Sequence, residues 1–205
     1  MTSAELSALL VLATVSSFTP GPNTTLSTAM AANHGLRHAL RFVCAVPVGW
    51  GLLFTLCATG MGSLVVAWPP LRWGIVVLGN GYLLWLASRL WQSGRLQQAD
   101  SARLQVGFVQ GVGLQFLNIK AWMLALAIVA GWIAGREDAN ERTWLLLPIM
   151  VAYGLVSNLT YALAGSMLRH WLAHGQRLLV FNRCMAIALV ATVVWILNGL
   201  RLSAP

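Results

Sequence analysis

The chain has 205 residues, 58% of them hydrophobic and only 9% charged, whereas an ordinary soluble domain is about 25% charged. This leaves no room for a separate soluble domain and points to an all-α polytopic membrane protein, since the apolar runs are too long for barrel strands of about 9–11 residues. The net charge of +8 comes from basic residues spread singly or in small groups between apolar runs. That pattern sets membrane topology and does not form the basic stripe of a nucleic-acid surface.

Six spans are predicted in chain order. The first, Glu5 to Asn33, is interrupted by Thr19-Pro20-Gly21-Pro22-Asn23. A bilayer core needs only about 20 helical residues to cross it, so this segment is longer than one straight span requires. Pro20 and Pro22 cannot donate backbone hydrogen bonds and Gly21 disfavours helix, so the helix is expected to open there. The second span runs from Phe42 to Trp68 and the third from Gly74 to Trp91, with Pro69-Pro70 expected to force a tight reversal between them. A polar linker, Gln92 to Gln105, contains Gly94, Gln97, Gln98, Asp100 and Ser101. The fourth span, Val106 to Ala134, is interrupted at Asn118-Ile119-Lys120, the fifth runs from Thr143 to Leu168, and the sixth from Cys184 to Leu200.

The order long-interrupted, long, short thus occurs twice. Three spans per half is an odd number, so a duplicated second half lies upside down relative to the first. The expected architecture is one transporter domain, residues 1–205, built as a 3+3 inverted repeat of residues 1–92 and 105–205. The first Lys or Arg is Arg37, so the basic n-region of a secretory signal is missing and the first apolar stretch is expected to remain as a span. With the N-terminus outside, the cytoplasmic side receives Arg37, Arg41, Arg89, Arg95, Arg103, Arg169, Arg177 and Arg183, against Arg72, Arg136, Arg142 and Arg201 outside. This bias predicts that both termini lie outside, on the face opposite the cytoplasm.

The polar residues inside the spans carry the functional reading. Opened backbone at membrane depth survives only where it is buried in protein or lines a polar cavity, and paired broken helices mark transporter substrate sites. The helix restarting near Pro22, Asn23 and Thr24 offers free N–H groups and a positive dipole end, which suits a carboxylate. Carbonyls near Ser16 and Ser17 offer the opposite polarity, so one break could hold both ends of a zwitterion. Lys120, the sole lysine, falls half-way along the fourth segment, where a charge is costly and usually functional. Its bland alternatives are snorkelling to an interface or bonding carbonyls of the opposing break. Asn118 is either a substrate partner or a helix cap. Asn80 in the third span, and Asn158 with Ser157, Thr160 and Tyr161 in the fifth, are weaker candidates that interhelical hydrogen bonds would explain. His34 and His38 are expected in a solvated loop beside Arg37 and Arg41. The five acids all fall at span ends or in linkers, which argues against a metal-ion pump. Cys44, Cys57 and Cys184 form no C-x-x-C pair and are expected to be small buried hydrophobes. That weakens the alternative of a membrane thiol or electron-transfer protein. A non-transporting subunit, the other alternative, would not need a lysine beside opened backbone.

Phe18-Thr19-Pro20-Gly21-Pro22-Asn23, followed by Ala32-Asn33-His34-Gly35 and a basic loop, resembles the lysine-exporter (LysE/RhtB) superfamily of amino-acid efflux proteins. Gly79 to Ala87 is similar to that family's third-span pattern, and Gln115 to Lys120 resembles its fourth-span Asn-Pro-Lys element. The Gln-Phe-x-Asn-x-Lys form and Ala162-Leu163-Ala164-Gly165 look most like the cysteine/O-acetylserine exporter branch. Ile119 stands where that element often has proline, so the resemblance predicts a gentler second break or a continuous helix. It further implies export of small amino acids or derivatives across the inner membrane, driven by the proton gradient. No P-loop is present in the sequence and no cofactor is expected. The expected partners are a small amino-acid substrate and the lipid bilayer, with no nucleic acid. Glycine-bearing helix faces would permit a homodimer. The substrate-binding residues expected are Pro20, Gly21, Pro22, Asn23, Thr24, Asn80, Asn118, Lys120 and Asn158.

Overall fold

The structure is a computed structural model that describes residues 1–93 and 106–202, the side chains of 200–202 excepted. The predicted linker beyond Ser93, including Gly94, Arg95, Gln97, Gln98, Asp100, Ser101 and Arg103, lies outside the described residues, as does the Arg201 side chain.

The described residues are all-helical. In chain order the helices are α1 (Ser3–Phe18), α2 (Pro22–His34), α3 (Leu36–Ala58), α4 (Met61–Ala67), α5 (Pro69–Gln92), α6 (Phe108–Leu117), α7 (Ile119–Ile128), α8 (Ala139–Leu172) and α9 (Arg177–Leu202), with α7 running on into a π-helical turn, Val129–Ile133. Three helices, α3, α8 and the Arg177–Gly199 part of α9, are long and apolar enough to cross a membrane. Three bent pairs raise the number of spans to as many as six. Large apolar side chains such as Val109 and Met167 are 82% and 81% exposed, as suits a surface that faces lipid. Trp68, Trp73, Trp144 and Trp171 are exposed near helix ends, where indole rings favour the interface.

Both predicted interruptions are present. α1 meets α2 at 47°, and α6 meets α7 at 67°. The second break has no proline yet bends more, so the gentler or continuous fourth helix is corrected. Its cause is Asn118, whose extended backbone (φ −90°, ψ 102°) interrupts the helix while its side chain accepts from Lys120 N at 3.1 Å. An Asn cap satisfies a donor that a continuous helix would otherwise satisfy, so no ring constraint is needed.

Several boundaries differ from the sequence reading. The second helix begins at Leu36, not Phe42, and ends at Ala58, because Gly60 adopts φ 89° and turns the chain. The rest of the predicted second span becomes the short α4. Pro69 and Pro70 do not form the reversal. They start α5, where a proline lacks only an N–H that would be unpaired anyway, and α4 meets α5 at 92°. The third and sixth spans are not short: α5 and α9 hold 24 and 26 residues, because helix continues past the apolar stretch into flanking polar residues. The fifth, α8, extends to 34 residues with Pro148 inside it. His34 closes α2 and His38 lies in α3, joined by Gly35 alone, so they are helical and not in a loop. The Nε2 of His34 is buried without a partner. Cys57 is buried, but Cys44 and Cys184 are exposed, against the expectation for all three.

Two apolar cores flank the middle of the bundle. One joins Leu26, Phe42, Leu86 and Leu189, and the other joins Leu9, Phe54, Ile128 and Leu146. α1 belongs mainly to the second and buries only Leu9 and Ala13. Its start is held by polar contacts instead. Thr2 and Glu5 form a reciprocal cap at 2.9 and 3.1 Å. Glu5 pairs with Arg136 and Arg142, each at 3.3 Å, and Arg142 also binds Asp138 at 2.7 Å. Hydrogen bonding from Arg142, aided by its charge, holds the Asp138 carboxyl below the ordinary carboxylate range. A lowered value means the pairing contributes at neutral pH and is lost as pH falls through it. The protection factors of α1 amides, taken relative to the intrinsic exchange rate at each pH, are therefore expected to fall below about pH 4 and to hold constant above it. A fall already between neutral pH and that point would contradict this assignment.

Candidate functional site

Between the two cores lies a cavity of about 80 Å³ where the two breaks meet. It is lined by Gly21, Pro22, Asn23, Thr24, Asn118, Lys120 and Asn158 among the residues singled out from sequence. Pro20 and Asn80 do not line it. Pro20 is exposed on the break, and Asn80 sits on the buried face of α5. Ser16 and Ser17 from α1, Pro47 and Trp50 from α3, and Ser157 from α8 complete the polar and aromatic wall. Among the described lining residues Lys120 carries the one charge.

The breaks are tied together crosswise. Asn23 and Lys120 are each the second residue of a restarted helix, and each reaches to the end of the other span. The Lys120 ammonium donates to Thr19 O, the C-cap carbonyl of α1, at 2.9 Å. Asn23 and Gln115 exchange amide hydrogen bonds at 2.8 and 3.2 Å, linking α2 to the last turn of α6. Lys120 thus adopts the second of its bland alternatives in this conformation, bonding the opposing break. An ammonium has three donors, and Thr19 O is its one hydrogen-bond partner among the described residues.

Local geometry explains the remaining placements. Gly21 is the N-cap of α2, its N–H donating to Thr24 Oγ1 at 2.9 Å, so Thr24 is committed to the cap. A Cβ at Gly21 would lie 3.2 Å from Lys120 Nζ, so the absent side chain is what lets the ammonium approach the break. Asn118 caps α7, one of the two roles left open for it, and it also lines the cavity. Asn158 accepts from Ser27 Oγ at 3.0 Å and donates to Gly154 O at 2.8 Å, an interhelical clamp between α2 and α8. Tyr161 donates to Phe18 O at 2.8 Å and Trp122 Nε1 to Phe116 O at 2.8 Å, each using a carbonyl freed at a break.

Gln115, fully buried, was not among the expected site residues. Its one available signal is a long amide inside an apolar run, three residues before the capping Asn118. Pro47 and Trp50 gave no such signal, because a proline and an aromatic in a span read as packing.

Joining α1 and α2 into one helix should close the cavity. Pro20→Ala with Pro22→Ala restores two N–H donors and removes both ring constraints, which cost about 3 kcal/mol each inside a helix. Full expression with loss of transport is expected, and normal transport by the double variant would make the break a packing kink.

Residues 14–197 match the LysE type translocator family. The chain is 32% identical over 196 residues to the cysteine/O-acetylserine efflux protein of Salmonella choleraesuis strain SC-B67, covering 95% of this chain and 98% of that one. It is 31% identical over 183 residues to the protein of the same name from Klebsiella pneumoniae subsp. pneumoniae, covering 87% and 91%. The similarly named protein of Escherichia coli strain K12 is 27% identical over 195 residues, covering 95% and 98%. No solved structure matches the chain.

Proposed function

We infer the function from one fixed point: this chain belongs to the LysE type translocator family, and it is therefore a multi-pass membrane transporter and not an enzyme. The reading is export of small amino acids or close derivatives by a secondary mechanism across a bacterial inner membrane, with the proton gradient as driving force. The observation that carries it is the cavity at the two breaks, walled by helix starts, carbonyl-bearing helix ends and a single ammonium. Lys120 and the N–H groups at the start of α2 would take the substrate carboxylate, and Ser16, Ser17 and the nearby carbonyls its amine. Gly21, Pro22, Thr24 and Asn118 shape the opened backbone, and Pro20 fixes it from outside the cavity. Asn23 and Asn158 stand beside the substrate with their amides already committed.

Size supports small substrates. A cavity of about 80 Å³ suits a small ligand, being well below the pockets of about 300–1,000 Å³ that hold drug-sized molecules. The three relatives compared above are named for cysteine and O-acetylserine efflux, which makes these the first compounds to try. Purified protein in liposomes is expected to exchange labelled cysteine, and an imposed proton gradient to drive its accumulation. No movement of cysteine, O-acetylserine or other small neutral amino acids would sink the reading.

The inverted repeat, with halves 1–92 and 105–205 in one domain, belongs to the same reading, and the crossed ties at the breaks support it. Both termini are assigned to the periplasm on the arginine bias. A reporter active only in the periplasm should work at the C-terminus and stay silent at Gln98. The reverse pattern would overturn that orientation.

A further inference from the structure

We propose that Asn80 is a positioning residue that holds the elbow of α6 and α7 in a second conformation of the transport cycle. Asn80 is only 6% exposed, and both Oδ1 and Nδ2 are buried without a hydrogen-bond partner. It lies on the inward face of α5 with Val76 and Leu83. A leucine would fill similar space at no polar cost, so an idle buried amide calls for a use elsewhere.

The neighbouring residue shows where that use lies. Gly79 packs so closely on the end of α6 that a Cβ there would fall 1.9 Å from Leu117 O. That carbonyl, the last of α6, receives none of the donors that follow the break. Ala121 N and Trp122 N both donate to Asn118 O, and Lys120 N donates to Asn118 Oδ1. Among the described residues no donor reaches Leu117 O. An amide without partners thus stands one residue away from the contact that covers a carbonyl without partners.

The elbow has both a trigger and room to move. Lys120, in the first turn of α7, is tied to Thr19 O. This step rests on the reading that a substrate carboxylate takes Lys120. Once it does, the first turn of α7 follows the ammonium toward the substrate and the Leu117 carbonyl swings off Gly79. The Asn80 Nδ2 then donates to it. An open groove of about 490 Å³ beside Ile119, lined by Ile75, Val76, Trp122 and Ile196 together with Arg72 and Asn198, leaves the Ile119 side of the elbow without close protein packing.

Asn80→Leu in the full-length protein separates this from a structural role. The melting temperature in detergent is expected to hold or rise, and the KM for labelled cysteine to stay unchanged. Turnover should fall about tenfold, the worth of one hydrogen bond made in only one conformation. Asn80→Ser, which keeps a donor, should recover part of the turnover. A lowered melting temperature, or a variant that fails to accumulate, would mean the amide is already partnered in this conformation and would overturn the proposal. So would normal turnover of Asn80→Leu, or an Asn80→Ser variant no better than Asn80→Leu. Substrate protection against heat distinguishes the two readings: wild type unprotected by cysteine undermines the transport site itself, whereas protection of both proteins with equal turnover removes only the role of Asn80.

Discussion

Lys120→Met is expected to abolish transport while leaving an inserted, folded protein. Methionine keeps the length of the side chain and removes its charge. The ammonium has one carbonyl partner, Thr19 O, across the break, and a cavity of low dielectric strengthens its attraction for an arriving carboxylate. Truncating one partner of a buried, hydrogen-bonded charge pair costs about 2–5 kcal/mol, or about thirtyfold and upward in transport efficiency. Lys120→Arg should be partly active, since a planar guanidinium cannot occupy the compact space against Gly21. Export by the Met variant at the normal rate would reduce Lys120 to a strut between the two breaks. Loss of the folded protein would point the same way, because the strut would then be its main contribution.

Gly79→Ala is expected to be among the most destabilising single-methyl additions in the chain. The new Cβ would fall 1.9 Å from Leu117 O, with the Leu117 carbonyl carbon at 3.0 Å. Both are backbone atoms, so no rotamer change relieves the contact and α5 must move off α6. Overpacking of this kind costs about 1–3 kcal/mol and more where backbone is involved. Gly81→Ala, two residues on, meets nothing within 4 Å and serves as the control. Thermal melting in detergent should show a large drop for the first and almost none for the second. Equal melting of the two variants would mean that α5 is free to shift away from the elbow at little cost.

Much of this site could be read from particular residues without coordinates. Prolines flanking Gly21 announce a break because their chemistry forbids the helix locally, and a lone lysine deep in an apolar run announces a cavity. The sharper bend at Asn118 was hidden because asparagine breaks a helix only when its side chain finds a backbone donor, which is a matter of geometry and not of composition. Gln115 was hidden for a related reason: its partner, Asn23, lies 92 residues away, and no local pattern reveals such a pairing. Helix ends found by apolarity fell close to the observed ones in the two broken spans and were misplaced at α3, α8 and α9. Arginines and histidines flanking α3, α8 and α9 continue the helix beyond the apolar stretch, so hydropathy marks the lipid-facing part and not the helix. Asn80 was grouped with the substrate residues because polarity inside a span says that a group has a partner, not where that partner is.

The crossed ties carry a consequence for biosynthesis. Thr19 O and the Lys120 ammonium are 101 residues apart, and neither break can be completed from its own half of the chain. At synthesis rates of about 5–20 residues per second, the first break would wait about 5–20 s before its partner is made. During that interval Asn23 and the Thr19 carbonyl face the bilayer or the insertion machinery with no mate. A nascent chain arrested shortly before Lys120 should therefore present an opened first helix to proteases or crosslinkers, and one arrested well past it should not. The newborn protein thus passes through a stage in which half of its transport site is built and still unguarded.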